Sequence, residues 1–261
     1  MEQSSGPENT GSVAPTYVRP PGVEFAMGVA LFAVTLVVFN TVQSGVFVQG
    51  VLDRSPEFEG HGSSFRLLSD PGFQVRVKEF SANGDILSRA ALWSGLAGLF
   101  MILGTVALWK RQNTKLFLGL HMASARQFLV WMGVFLLLGF GIEALSRFSP
   151  AFHTDFMDRM LSSTTDLFWL VLGVGIMAPL FEEFLLRGLL FGSLRYMVDE
   201  HAAVALTAGV FALMHLQYEW TIMLLIVPIG VVLGYARSRS GSIWVPVLLH
   251  ILNNTASIFL G

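Results

Sequence analysis

The chain contains no cysteine, which excludes thiolate metal sites, disulfides and thiol nucleophiles together. Charge is scarce as well: Asp, Glu, Lys and Arg make up 13% of the 261 residues, and no basic run is longer than Lys110-Arg111. With a net charge of -2 and a pI near 6.3, the electrostatic footprint of a nucleic-acid binder is missing. What is left for chemistry is histidine, carboxylate, amide and hydroxyl groups. What the chain has in quantity is apolar surface. At 53% hydrophobic residues and a mean hydropathy of +0.62 it is too apolar for an ordinary soluble domain, and it reads as an all-α polytopic membrane protein whose partners lie in or beside the lipid bilayer.

Residues 1–23 are rich in Gly, Ser, Pro and Thr and lack the Lys/Arg cluster that begins a secretory signal peptide, which predicts a disordered tail. Apolar runs then occur at about 25–43, 90–109, 127–145, 167–191, 202–217, 219–236 and 243–260, predicting about seven transmembrane helices if a span needs roughly 17 to 25 residues. Only Gln217-Tyr218-Glu219 separates the short fifth run from the sixth, so these two should form a tight helical hairpin. The expected organisation is an N-terminal transmembrane region over 24–165, with an extramembrane segment at 44–89, and a transmembrane core over 166–261. Within the segment, Phe73–Phe80 alternates like a strand, Val75 and Val77 against Arg76 and Lys78, ahead of Asn83-Gly84. That pattern suits a small hairpin, and an irregular loop on the membrane surface suits the same residues.

Orientation follows from the basic loops. Lys110, Arg111, Lys115 and Arg126 lie in a stretch without Asp or Glu, the strongest local Lys/Arg excess, which predicts a cytoplasmic loop. Alternating spans then place Arg19, Arg187, Arg195, Arg237 and Arg239 on that side, with the N-terminus cytoplasmic and the C-terminus outside. Localisation in a bacterial inner membrane is expected. Phe117, Leu118, Leu120 and Met122 beside Lys115 suggest an interfacial amphipathic helix.

Few ionisable residues fall inside the apolar runs. Glu182 and Glu183 sit in the fourth, where each carboxylate costs roughly 3 kcal/mol even on lenient insertion scales. His215 lies in the fifth run and His250 in the seventh, whereas His61, His121, His153 and His201 lie outside the runs or at their ends. At 1.5 Å per helical residue, Glu182 and Glu183 lie about 18–20 Å above the cytoplasmic edge, His215 about 21 Å, and His250 and Asn254 about 12 and 18 Å. Polar groups from three helices thus reach similar depth, and a cavity open toward the cytoplasmic half is expected. Glu183 and Arg187, four apart, share a helix face and can pair, leaving Glu182, turned by about 100°, to address another partner. Taken singly, each feature has an ordinary role, the Glu–Arg pair as a brace and His215, His250 or Asn254 as interhelical glue. The joint pattern favours a working site.

The ordered set Glu182-Glu183-Phe184-Leu185-Leu186-Arg187, Phe211–His215 and His250–Asn254, each within an apolar run, resembles the CaaX protease and bacteriocin-processing family of intramembrane peptidases. The resemblance covers about Leu167 to Leu260. It implies an endopeptidase acting on a membrane-associated protein or peptide, with Glu182 and His215 activating water, His250 and Asn254 stabilising the oxyanion, and Glu183 with Arg187 completing the catalytic set. The mechanism it implies is glutamate-dependent without metal or metal-assisted, in the latter case with zinc or another divalent ion on Glu182, His215 and His250, a two-His, one-carboxylate set; no H-E-x-x-H helix is present. The rival readings are a non-catalytic membrane immunity or assembly factor with the same fold, and a proton-coupled transporter relaying through the same side chains.

Overall fold

The computed structural model describes residues 19–58, 60, 65–149, 152 and 155–260; most of the expected tail, together with His61 and His153, lies outside them. The principal helices are α1 (Pro21–Leu52), α2 (Pro71–Glu79), α3 (Gly84–Lys110), α4 (Ala125–Phe148), α5 (Asp155–Ser162), α6 (Leu167–Leu194), α7 (Glu200–Leu213), α8 (Trp220–Ser240) and α9 (Trp244–Leu260). The described residues contain no strand. α1, α3, α4, α6 and α8 are long and apolar enough to cross a membrane, and α7 and α9 are shorter apolar helices. The seven together form an all-α polytopic membrane fold, each within a few residues of an apolar run, except that α1 continues well past its run.

α6 occupies the centre. Its Phe181, Phe184, Leu185 and Leu189 pack with Leu99, Ile102 and Val106 of α3 and with Ile243 and Val247 at the start of α9. Glycine permits the close approach. A methyl group on Gly98 would lie 2.2 Å from the Phe181 ring, and one on Gly173 would lie 2.1 Å from the Ser88 carbonyl oxygen. Gly230 and Gly234 of α8 likewise seat against Ala208 and Val204 of α7, the small-residue contact that joins helices where lipid removes the hydrophobic drive.

Side chains fix the two ends of the bundle. On one face Lys110 pairs with Glu24, bonds the Tyr196 hydroxyl at 2.9 Å and stands 3.7 Å from the Trp109 ring centroid, joining α1, α3 and α6. Arg237 adds α8 by donating to Gly241 O at 2.8 Å and Phe117 O at 3.3 Å. The opposite face is tied by Ser163 and Thr165, which bond Gly84 N at 3.0 Å and the Asp85 carboxylate at 2.6 Å.

One local expectation changes. Phe73–Phe80 is helical: Asp70 accepts from Gly72 N and Phe73 N, Pro71 supplies a preset first turn, and Asn83 caps α3 instead of turning a hairpin. The decisive period is 73 to 77, one helical turn, which seats Phe73 and Val77 against Val51, Leu67 and Ile86 while Val75 stays 66% exposed. Residues 114–118 form a short helix that docks on the bundle through Leu118 and leaves Leu116 exposed. Leu118 is fully buried in the central core, and Gly119 O receives Ile243 N at 2.9 Å.

Candidate functional site

α6 is not a uniform α-helix. Val171–Met177 and Phe184–Leu190 are wound as π-helix on either side of the α-helical Ala178–Glu183, so the two glutamates end a short α segment between two wider ones. Such interruptions are common at working sites because they re-aim side chains and free backbone groups. Here Pro179 has no N–H. In π register its nitrogen would have paired with Val174 O, and Asn254 Nδ2 of α9 donates to that carbonyl instead, at 3.1 Å.

Glu183 and Arg187 are fully buried and bonded at 2.9 Å. Arg187 also donates to Gly230 O at 2.8 Å and stands 4.8 Å from the Phe211 ring, while its own carbonyl accepts from Arg237 Nε at 3.2 Å. The same Glu183 oxygen accepts from His250 Nδ1 at 2.9 Å. Because an ionised carboxylate can only accept, the His250 proton is fixed on Nδ1 and Nε2 is turned away from Glu183. Nε2 lies 3.8 Å from Glu182 Oε2, beyond a direct hydrogen bond and close enough for one water to touch both. Glu182 Oε2 is buried and has no protein partner.

His215 follows the end of α7, and its Nδ1 donates to Phe211 O at 2.8 Å, which leaves its Nε2 as an acceptor. The Phe211 ring meets both imidazoles edge-on, with centroids 4.8 Å from His215 and 5.3 Å from His250. Glu182, His215, His250 and Asn254 all line one cavity of about 1060 Å³. Glu183 and Arg187 stand behind the wall and hold it.

Sequence reasoning missed several participants. Tyr218 stacks on His215 at 6.2 Å and also lines the cavity; burial, and then the Glu182 charge, push its hydroxyl up to about 12, so it stays protonated. Phe211 appeared only as the first residue of the Phe211–His215 motif, with no role of its own, and the Gly230 carbonyl carried no sequence signal. Asn253 was not singled out, although it lines the cavity and donates to Asn254 at 3.4 Å. The π segments had one available clue, Pro179 within an otherwise helical run.

The open side also differs from expectation. The cavity is lined by Gln43 to Val48 of α1, by α2, by α5 and by Met214–Tyr218, so it opens on the face opposite the Lys110–Arg126 loop. Depths of about 18–21 Å, in a hydrocarbon core of about 30 Å, already put the glutamates and His215 in the far half. α7 is the reason for the opening. With 14 residues it reaches only about 21 Å and stops short of that face.

A metal ion would need several of these ligands around one point. Both imidazoles have Nδ1 anchored, as metal-binding histidines do, but among the described residues no three His, Asp or Glu side chains are grouped to hold an ion. The side chains as placed do not fit a three-ligand centre.

Fold and site thus define a polytopic membrane protein with a carboxylate–imidazole centre inside its helix bundle. Among known proteins, residues 164–256 match the family described as type II CAAX prenyl endopeptidase, Rce1-like. That match and the site motifs cover the same part of the chain. The chain is 34% identical over 136 residues to the uncharacterized 24.3 kDa protein of Escherichia coli, covering 51% of this chain and 59% of that one. It is 26% identical over 85 residues to a Bacillus subtilis (strain 168) protein provisionally named membrane peptidase YdiL, covering 33% and 34%. The likeness therefore spans about a third to three-fifths of these relatives' length. No solved structure matches the chain.

Proposed function

We propose that the chain is an intramembrane endopeptidase that hydrolyses a peptide bond of a membrane-associated protein or peptide. The observation that carries this reading is Glu182 Oε2, a buried carboxylate oxygen with no protein partner, facing His250 Nε2 at 3.8 Å on the wall of a large cavity. Water between these groups gives one proton to Glu182 and donates its other hydrogen to His215 Nε2 while its oxygen attacks the scissile carbonyl carbon. The carbonyl oxygen becomes an oxyanion. His250 keeps Nδ1–H on Glu183, and a proton taken up on its Nε2 before the attack would be offered to that oxyanion, with the second amide hydrogen of Asn254 as a further donor. Glu182 then returns its proton to the leaving nitrogen as the C–N bond breaks. Glu183 and Arg187 touch no substrate; they hold His250 and α6 in place.

A divalent ion on Glu182, His215 and His250 is the second form of the same proposal, and it requires those three side chains to draw together. In both forms the basic Lys110–Arg126 face is cytoplasmic, which sets the cavity mouth toward the other side of the membrane. The test is to incubate the purified protein with a panel of membrane peptides, identify products by mass spectrometry and measure bound metal by elemental analysis. Internal cleavage supports a peptidase, and stoichiometric metal selects the metal form. An intact panel together with proton flux in vesicles would replace the proposal with the transporter reading.

A further inference from the structure

Among the described residues that line the cavity, Glu182 is charged and the others are uncharged or imidazoles, with no Lys, Arg or Asp. The wall does contain amides. Asn40 and Gln43 stand one helical turn apart on α1, with Ser44 beside them, and Asn253, Asn254 and Ser257 form a second polar stretch on α9. Elsewhere the wall is mainly apolar, with Phe39, Phe47, Val77, Met157 and Ile222 among its residues, interrupted by Gln74, Ser81, Gln217 and Tyr218. Asn40 spends one amide hydrogen on Leu36 O at 2.8 Å and keeps its oxygen and second hydrogen. Gln43 is half-buried in the wall.

We infer that the cavity takes an uncharged, mostly apolar peptide segment from the face bearing α2 and α5, and that Asn40 and Gln43 set its register by pairing with its backbone. This rests on the peptidase reading above and names the substrate class for it. A primary amide both donates and accepts, which matches a peptide unit; a hydrocarbon chain in the same place would leave these amides without partners. A charged side chain near the scissile bond would be stripped of water with no counter-ion except Glu182. The volume, about 1060 Å³, is at the top of the roughly 300–1,000 Å³ range of small-ligand pockets and leaves room for several residues.

The experiment uses Glu182→Gln protein in detergent and three fluorescent synthetic peptides that share one short apolar sequence and carry Leu, Lys or Asp at the same central position. Binding is read by anisotropy, and cleavage is read in parallel on the wild-type chain. The Leu peptide should bind at least roughly tenfold tighter than the other two, and Asn40→Leu with Gln43→Leu should weaken it by roughly tenfold, the loss of one or two net hydrogen bonds. Gln43→Glu should raise affinity for the Lys peptide, a gain that misfolding cannot produce. Equal binding of all three peptides, or no gain with Gln43→Glu, overturns the inference. If Glu182→Gln binds as expected but the wild-type chain cleaves nothing, the peptidase reading fails and the cavity assignment stands; if the wild type cleaves all three equally well, the reverse holds.

Discussion

α4 and α6 are both apolar enough to cross a membrane, yet 6% of the residues in an apolar stretch of α4 are buried in the protein, against 56% in α6. α4 touches the bundle along one edge, where Phe135 meets Leu233 of α8 and Leu249 of α9, and leaves Leu137 and Phe140 exposed. α6 is enclosed by α1, α3, α7 and α9, with α8 bonded to it through Arg187 and Arg237. Hydropathy marks both as membrane segments and says nothing about which one faces lipid. Polar residues and glycines make that distinction: α6 carries Glu182, Glu183 and Arg187 with close-packed Gly173, while Gly133, Gly139 and Gly141 of α4 face open space.

The contrast is sharpest for charge. Arg187→Ala removes the guanidinium from buried Glu183 and leaves it only the His250 N–H, and should lower stability by about 3–5 kcal/mol, read as a fall in melting temperature and membrane level. A variant as stable as wild type would mean that the pair is hydrated and that α6 is less enclosed than described.

One substitution placed in both regions isolates packing. Gly173→Ala forces a methyl group to 2.1 Å from the Ser88 carbonyl oxygen, so α3 and α6 must separate, at a cost of about 1–3 kcal/mol. Gly139→Ala in α4 meets nothing within 4 Å and should be neutral or slightly stabilising. Thermal melts of the two variants side by side check this, and equal losses would erase the distinction between the regions.

Asn254→Leu should give a smaller loss, about 0.6–1.7 kcal/mol, as expected for an interhelical hydrogen bond at membrane depth. It leaves Val174 O without the donor that Pro179 cannot supply. Because Asn254 also lines the cavity, a drop in cleavage beyond the drop in folded protein would assign its second hydrogen to the reaction.

These cases also show how far the chain could be read without coordinates. The runs of apolar residues located the helices, since in lipid a spanning segment has little choice but to be helical. The spacing of Glu183 and Arg187 disclosed their bond, because it depends on one helix alone. Phe73–Phe80 misled because Val75 and Val77 satisfy a strand period while Phe73 and Val77 satisfy a helical one, and only the core around Val51 and Ile86 decides between them. The His250–Glu183 bond, the place of Phe211 between two imidazoles and the Asn254–Val174 contact each join residues far apart in sequence, and no local pattern encodes them. The open side was missed because depth from one face was taken as access from that face.

The central claim is that Glu182 acts on water while Glu183 braces, and Glu182→Gln tests it most directly. The substitution keeps size and polarity and removes the base, at a group whose buried oxygen has no protein partner to lose. Cleavage of a membrane peptide should fall by about 10² to 10⁴ with melting temperature and membrane level unchanged. Wild-type cleavage by Glu182→Gln, or loss of activity only in step with loss of the protein, would contradict the account.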